Sequence, residues 1–470
     1  MAGHHAAPER VRQCGEPGAL LPPPAGCYKA AIPMRPLLVI AALAVLCAAP
    51  VAAETFLYAT AASKQRVDVF HVLADGSLAG DPVSQRYMAA TKPKRLVARG
   101  CTLYVVEDDR VEVFTAGAGG SLTRIGATRK EKGMFARDIA LSEDGRMLYV
   151  PFRKQGGLIA AYPLGADGTP NADPIVEDGI TAGSPTSCSY GPAAPGWEDV
   201  VVANDKLYVN VSGANRTFVY GLDAEGRIFG TPQIAQDKNG DGDTTDDGEN
   251  FCPFWSTVPA LPLPCPVEGV ARPDDTCPLS RRTQLPGPIG LLIDGTHLVT
   301  APRFQDRLQG FTLDTDGNFM PFGENPEKPT RKEKNKEKNQ RQKDRTNVII
   351  RYLGLTLYKP DSGRPVILAV TYQGRIDTFR LDDDGTLPKN TAARSNQNRA
   401  SSPVRSTVLP PRNGNNAVLY VAAGEINRIE AFRMDEGGLV PTDATPFSQT
   451  NPLKDSFPND VVVIDTDTCQ

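Results

Sequence analysis

The 470 residues carry 51 Lys and Arg against 55 Asp and Glu, a formal net charge of −4. So small an imbalance provides no global field, which argues against a nucleic-acid or anionic-membrane partner. With 43 Gly, 41 Pro and 7% aromatic residues, the composition calls for many turns and few long helices, and no stretch after residue 54 keeps an apolar period of 3.6.

Residues 1–33 are Pro-, Ala- and Gly-rich without pattern and read as a non-structural leader or a misassigned start. Residues 34–53 read as a signal peptide: Arg35 supplies the positive end, Leu37 to Leu46 the apolar core and Val51-Ala52-Ala53 the small-residue cleavage site. Cys47 lacks the flanking residues of an acylation site, so release into periplasm or medium is expected, with no membrane attachment after cleavage.

From residue 54 one phrase recurs seven times. Its second copy runs Leu103-Tyr104-Val105, then Arg110-Val111-Glu112-Val113-Phe114, then Gly119-Gly120-Ser121-Leu122. The aromatic returns as Phe70, Phe114, Tyr162, Tyr220, Phe311, Phe379 and Phe432. A glycine usually follows it, and an arginine (Arg66, Arg110, Arg216, Arg307, Arg375, Arg428) precedes six of the seven. A spacing of roughly 45 residues in alternating β-type sequence predicts propeller blades, because one small sheet cannot bury both faces but a stacked ring can. The expected fold is therefore all-β: a seven-bladed β-propeller of four-stranded antiparallel blades over 54–470. The mature chain opens on a second-strand sequence, Phe56-Leu57-Tyr58, with no inner strand ahead of it. The C-terminal strand 460–465 is expected to supply that strand and close the ring on the first blade.

The tandem Leu-Tyr-Val, Val-x-Val-Phe and Asp-Gly-x-Leu units, the last seen as Asp75-Gly76-Ser77-Leu78 and Asp384-Gly385-Thr386-Leu387, resemble the seven-bladed lactonase-type propellers. That group includes 6-phosphogluconolactonase-like proteins and Tyr-Val-Thr-Asn-type repeat proteins. The likeness spans residues 55–467 and rests on structural repeats. It implies a hydrolase opening a sugar lactone or small ester, and it carries over no catalytic motif. The arginine column reads as structural, pairing with neighbouring loop carboxylates or carbonyls.

Two insertions, 229–288 and 320–347, enlarge connections on one face. The first holds a calcium-loop-like run whose candidate ligands are Asp237, Asn239, Asp241, Asp243, Asp247 and Glu249. Alternating carboxylate and amide oxygens around a glycine suit a hard cation, here a structural calcium. No organic cofactor is expected. Six cysteines remain after cleavage (Cys101, Cys188, Cys252, Cys265, Cys277, Cys469), an even number that suggests disulfides in an exported protein. A Cys101–Cys469 bridge would lock the closure. No His or Cys-x-x-Cys pair accompanies the clustered three, which argues against zinc. The second insertion is charged, without apolar residues, and reads as a solvated spacer.

Only His71 and His297 occur beyond the leader, so chemistry needing several histidine ligands is excluded. Where the inner strands begin, Asp138, Glu198 and Arg137 are the candidate catalytic groups. Arg95, Asp199, Arg351, Arg405 and Asp460 are the candidate substrate-binding groups. A carboxylate there could activate water while arginines hold an anionic substrate and its developing oxyanion. The competing reading is a non-catalytic propeller that binds a small molecule or a protein on its insertion-bearing face. A monomer is expected in either case.

Overall fold

The computed structural model describes residues 54–469 apart from 89–90, 132–134, 154–157, 176–196, 212–215, 230–287, 303–307, 314–351, 362, 372–375, 381–402, 413, 425, 442–443 and 452–455. The expected signal peptide, the calcium-loop-like run, most of both insertions, Arg351 and Cys188, Cys252, Cys265 and Cys277 lie outside these residues.

The repeated phrase is a hairpin. Thr102–Val106 pairs antiparallel with Val111–Ala116, Leu103 opposite Phe114 and Tyr104 opposite Val113. Alternate side chains therefore go to opposite faces, and both faces are buried. Arg95–Arg99 adds on the inner side and Leu122–Ala127 on the outer. Among the described residues this pattern yields seven antiparallel sheets, five of four strands and two of three. Each packs on the next through its own apolar cluster. Tyr104 and Val113 of the second sheet meet Leu148 and Tyr162 of the third. In the last cluster of the circuit, Tyr420 and Ile429 of the seventh sheet meet Leu57 and Phe70 of the first. The fold is an all-β propeller.

The first sheet takes its inner strand from the other end of the chain: Val461–Asp465 pairs with Thr55–Ala61, Leu57 opposite Val463 and Ala59 opposite Val461. Cys101, in the turn after the second inner strand, is disulfide-bonded to Cys469, just past that closing strand.

Cross-blade contacts explain why two parts of the phrase recur together. The tyrosine of a second strand donates its hydroxyl to the turn glycine of the next sheet: Tyr104 to the Gly168 carbonyl at 3.0 Å, Tyr149 to Gly226 at 2.5 Å and Tyr420 to Gly76 at 2.7 Å. Those glycines sit at φ of +80°, +76° and +79°. At Gly226 a Cβ would also lie 2.5 Å from Met147, so conformation and space both require glycine there.

Two expectations need correction. Arg66 and Arg110 do not reach only into loops: Arg66 pairs at 2.7 Å with Asp68, and Arg110 binds both Glu112, at 2.6 Å, and loop residue Glu107, at 2.9 Å. The acid two residues on in the same strand is a partner because it is buried, at 0% exposure for Asp68 and 1% for Glu112, and needs a counter-charge; loop residue Glu107 is buried as well.

The inner strand expected over Asp138–Leu141 is split as well, into Phe135–Ala136 and Ala140–Leu141. Ala136 lies opposite Phe152 and Ala140 opposite Tyr149, which leaves Arg137, Asp138 and Ile139 facing Val150 and Pro151. Pro151 has no N–H to give the ladder, and three residues against two form a bulge. Register shifts recur at the start of four other inner strands, between Trp197 and Val200, Pro288 and Gly290, Tyr352 and Gly354, and Pro403 and Ser406.

Candidate functional site

An inner strand has no sheet neighbour on its channel side, so half of its backbone donors face the axis without a partner. Three aspartates supply acceptors, each reaching the inner strand of the following sheet. Asp460 accepts from Leu96 N–H at 2.9 Å, Asp138 from Val200 at 3.1 Å and Asp199 from Leu291 at 2.9 Å. Asp138, Asp199 and Arg405 lie at or beside such irregularities, while Arg95 holds the same position in a regular strand.

Register identifies one equivalent position in every sheet. Around the circuit it holds Asp460, Arg95, Asp138, Asp199, Gly290, Gly354 and Arg405, each immediately before the residue paired with the core of the second strand. All of these but the two glycines line a cavity of about 310 Å³, to which Leu291 and Leu355 add the fifth and sixth inner strands. Its size falls at the small end of the range for small-molecule sites.

One half of the cavity is ionic. Asp199 accepts from Arg95 Nη2 at 2.9 Å and from Arg405 Nη2, and Arg95 Nε lies 3.5 Å from Asp138. Burial pushes the Asp199 carboxyl well above the usual range, the neighbouring Asp138 adds to this, and Arg95 only partly offsets it. A second carboxyl beside a buried one disfavours its ionised form. Burial raises Asp460 to about 7 against the pull of Arg95. Burial alone would lower Arg95, but Asp138, Asp199 and Asp460 together hold its guanidinium above the ordinary value. The other half of the cavity is uncharged, lined by Leu291 and Leu355 beside the two glycine positions.

Of the candidates read from sequence, Arg95, Asp138, Asp199, Arg405 and Asp460 line this cavity. Arg137 and Glu198 are not in the lining; Glu198 acts on Arg95 only through its charge. Lys94 turns away to bind Asp108 and the Ala136 carbonyl. Register assigns Gly354, three residues beyond Arg351, to the channel position of the sixth sheet. Sequence reasoning passed over both glycines because the missing side chain is what matters at these positions. The only available signal was their place in sequence, two residues after Pro288 and three after Arg351. Among the described residues no cluster of three or more His, Cys, Asp or Glu is arranged to hold a metal.

No family model and no curated protein matches this chain. Solved structures do resemble it. The periplasmic gluconolactonase of Pseudomonas aeruginosa is 17% identical with a TM-score of 0.56, over 87% of this chain and 99% of that one. A putative 6-phosphogluconolactonase from Bacteroides fragilis is 16% identical with a TM-score of 0.56, over 88% and 98%. A Lactobacillus plantarum protein is 14% identical with a TM-score of 0.57, over 88% and 99%. At these identities the likeness establishes the propeller fold.

Proposed function

We propose that this chain is an exported, monomeric propeller of seven blades, closed by its C-terminal strand, that hydrolyses a small lactone or ester in its channel cavity. The observation that carries the reading is the buried Asp138–Asp199 pair beside Arg95 in an open cavity. A pair holding one proton contains a base and an acid at once. The ionised member takes a proton from water as its oxygen attacks the carbonyl carbon. The ring C–O bond then breaks, and the protonated member passes its proton to the departing alkoxide. Arg95 and Asp460 tune the pair, and the calcium-loop-like run 237–249 would act as a structural clamp outside the site. A periplasmic gluconolactonase among the structures of like fold and the Cys101–Cys469 bridge both support export.

A second reading, ligand or protein binding without turnover, is favoured by one observation: both guanidiniums already bind Asp199, leaving neither free for a substrate anion. A panel of γ- and δ-lactones, assayed with and without calcium on wild type, Asp138→Asn and Asp199→Asn, separates the two. Hydrolysis by wild type that falls at least about a hundredfold in either variant is the expected result. No turnover of any lactone, or unaltered turnover in both variants, would refute the hydrolase reading.

A further inference from the structure

The uncharged half of the cavity contains backbone donors that the ionic half does not. Leu96, Val200 and Leu291 stand at one register position, opposite Val105, Val209 and Thr300, and each gives its N–H to an aspartate of the preceding sheet. In the next two sheets that position belongs to Leu355, opposite Ala369, and Ser406, opposite Val421. The acceptors they would use come from the preceding sheets, at residues 290 and 354. Both are glycine.

The direction of these donors follows from strand geometry. At alternate positions of an antiparallel pair, the N–H and C=O of one residue both point away from the partner strand. The Ser406 carbonyl accepts the Thr356 hydroxyl at 2.8 Å from the neighbouring sheet, so its N–H also leaves the ladder on that side. Leu355 shares the register of Leu291, whose N–H demonstrably does the same. Leu355 and Ser406 both line the cavity, and among the described residues no side chain accepts from either N–H. Arg405, immediately before Ser406, keeps a buried Nε–H without a partner among the described residues.

We infer that the N–H groups of Leu355 and Ser406 form a cradle for a carbonyl oxygen in the cavity that Asp138, Asp199 and Asp460 also line, and that the compound it takes is a neutral acyl ring. The cradle selects acyl oxygen because two convergent backbone donors, with no carboxylate to fill them, stabilise a partial negative charge at fixed positions. The ring is neutral because both cavity arginines already give Nη2 to Asp199, so a phosphorylated or carboxylated ligand would have to compete with that carboxylate for them. The chemistry of turnover rests on the hydrolase reading above, but the binding site does not.

The test uses δ-valerolactam, an uncharged cyclic amide that is not turned over, titrated calorimetrically into the full mature chain. Gly354→Asp restores the acceptor that the other blades possess and should occupy the Ser406 N–H. It should weaken lactam binding about tenfold or more, from the lost bond and the added charge, while the unfolding midpoint stays at or above that of wild type. Gly354→Ala adds bulk without an acceptor and should cost less than Gly354→Asp. Ser406→Pro removes the donor itself and should weaken binding in the same way, so the question survives if Gly354→Asp does not fold. Failure of wild type to bind the lactam, or equal binding by folded Gly354→Asp or Ser406→Pro, overturns the cradle. Lactam binding with the expected losses but no lactone turnover would uphold the cradle and sink only the hydrolase reading.

Discussion

The tyrosine-to-glycine contacts can be tested with a control built into the molecule. Tyr104, Tyr149 and Tyr420 are each at most 1% exposed and donate to a glycine carbonyl one sheet away. Tyr58 is equally buried at the corresponding place in the first sheet, but its hydroxyl has no partner among the described residues. Tyr→Phe at any of the first three removes a hydrogen bond with a net value of about 1 kcal/mol and strands a largely buried carbonyl, so each should cost about 1–2 kcal/mol. The three tyrosines lie in different sheets and share no partner, so the triple variant should lose about 3–6 kcal/mol, the sum of the singles. Tyr58→Phe removes an unsatisfied buried hydroxyl and should leave stability unchanged or raise it. Urea unfolding of the five variants, with the disulfide intact, reads all of this. A loss at Tyr58→Phe as large as at Tyr149→Phe would show that the cost comes from removing a buried hydroxyl as such and not from the cross-blade bond, and would refute the argument.

Two further outcomes concern the joined chain ends. The Cys101–Cys469 bridge closes a loop with a sequence separation of 368, so Cys101→Ser with Cys469→Ser should destabilise the ring by about 2–4 kcal/mol; limited proteolysis should then release the C-terminal strand first. Undiminished resistance in the double variant would mean that strand pairing alone secures the ends. Asp460 gives a pH signature. Its carboxyl rises from 3.8 to about 7 on folding, so between about pH 4 and 7 the folded chain keeps a proton that the unfolded chain has released. Stability from this group is therefore greatest at the acid end, falls as pH rises through that window and is level above it. Asp460→Asn should flatten that part of the stability profile, and an identical slope in variant and wild type would show that another group is responsible.

Much of the architecture is legible in the sequence because its causes are local. Alternation in Arg-Val-Glu-Val-Phe makes a two-faced strand, and Asp-Gly makes a turn at positive φ. Repetition then follows, since a sheet buried on both faces needs a neighbour on each side. The partnership of Cys101 with Cys469 and the pairing of Leu57 with Val463 follow from counting strands. Five of the eight candidate catalytic and binding residues line the cavity because the start of an inner strand is recognisable from a charged residue ahead of an alternating β-type run, as in Arg95-Leu96, Asp199-Val200 and Asp460-Val461.

What the sequence could not disclose depends on three-dimensional neighbours. Pro151 lies in the second strand of the third sheet, yet its missing N–H splits the adjacent inner strand beside Asp138. Glu198 and Asp199 are consecutive carboxylates of the same charge, but only Asp199 lines the cavity, where burial and Asp138 raise its proton affinity. At Gly290 and Gly354 the informative feature is an empty place opposite a backbone donor, which register across five strands defines and no local pattern marks. Alternation and turn chemistry set the number and order of strands; the convergence of inner edges on a common axis decided which polar groups meet and which donors remain available.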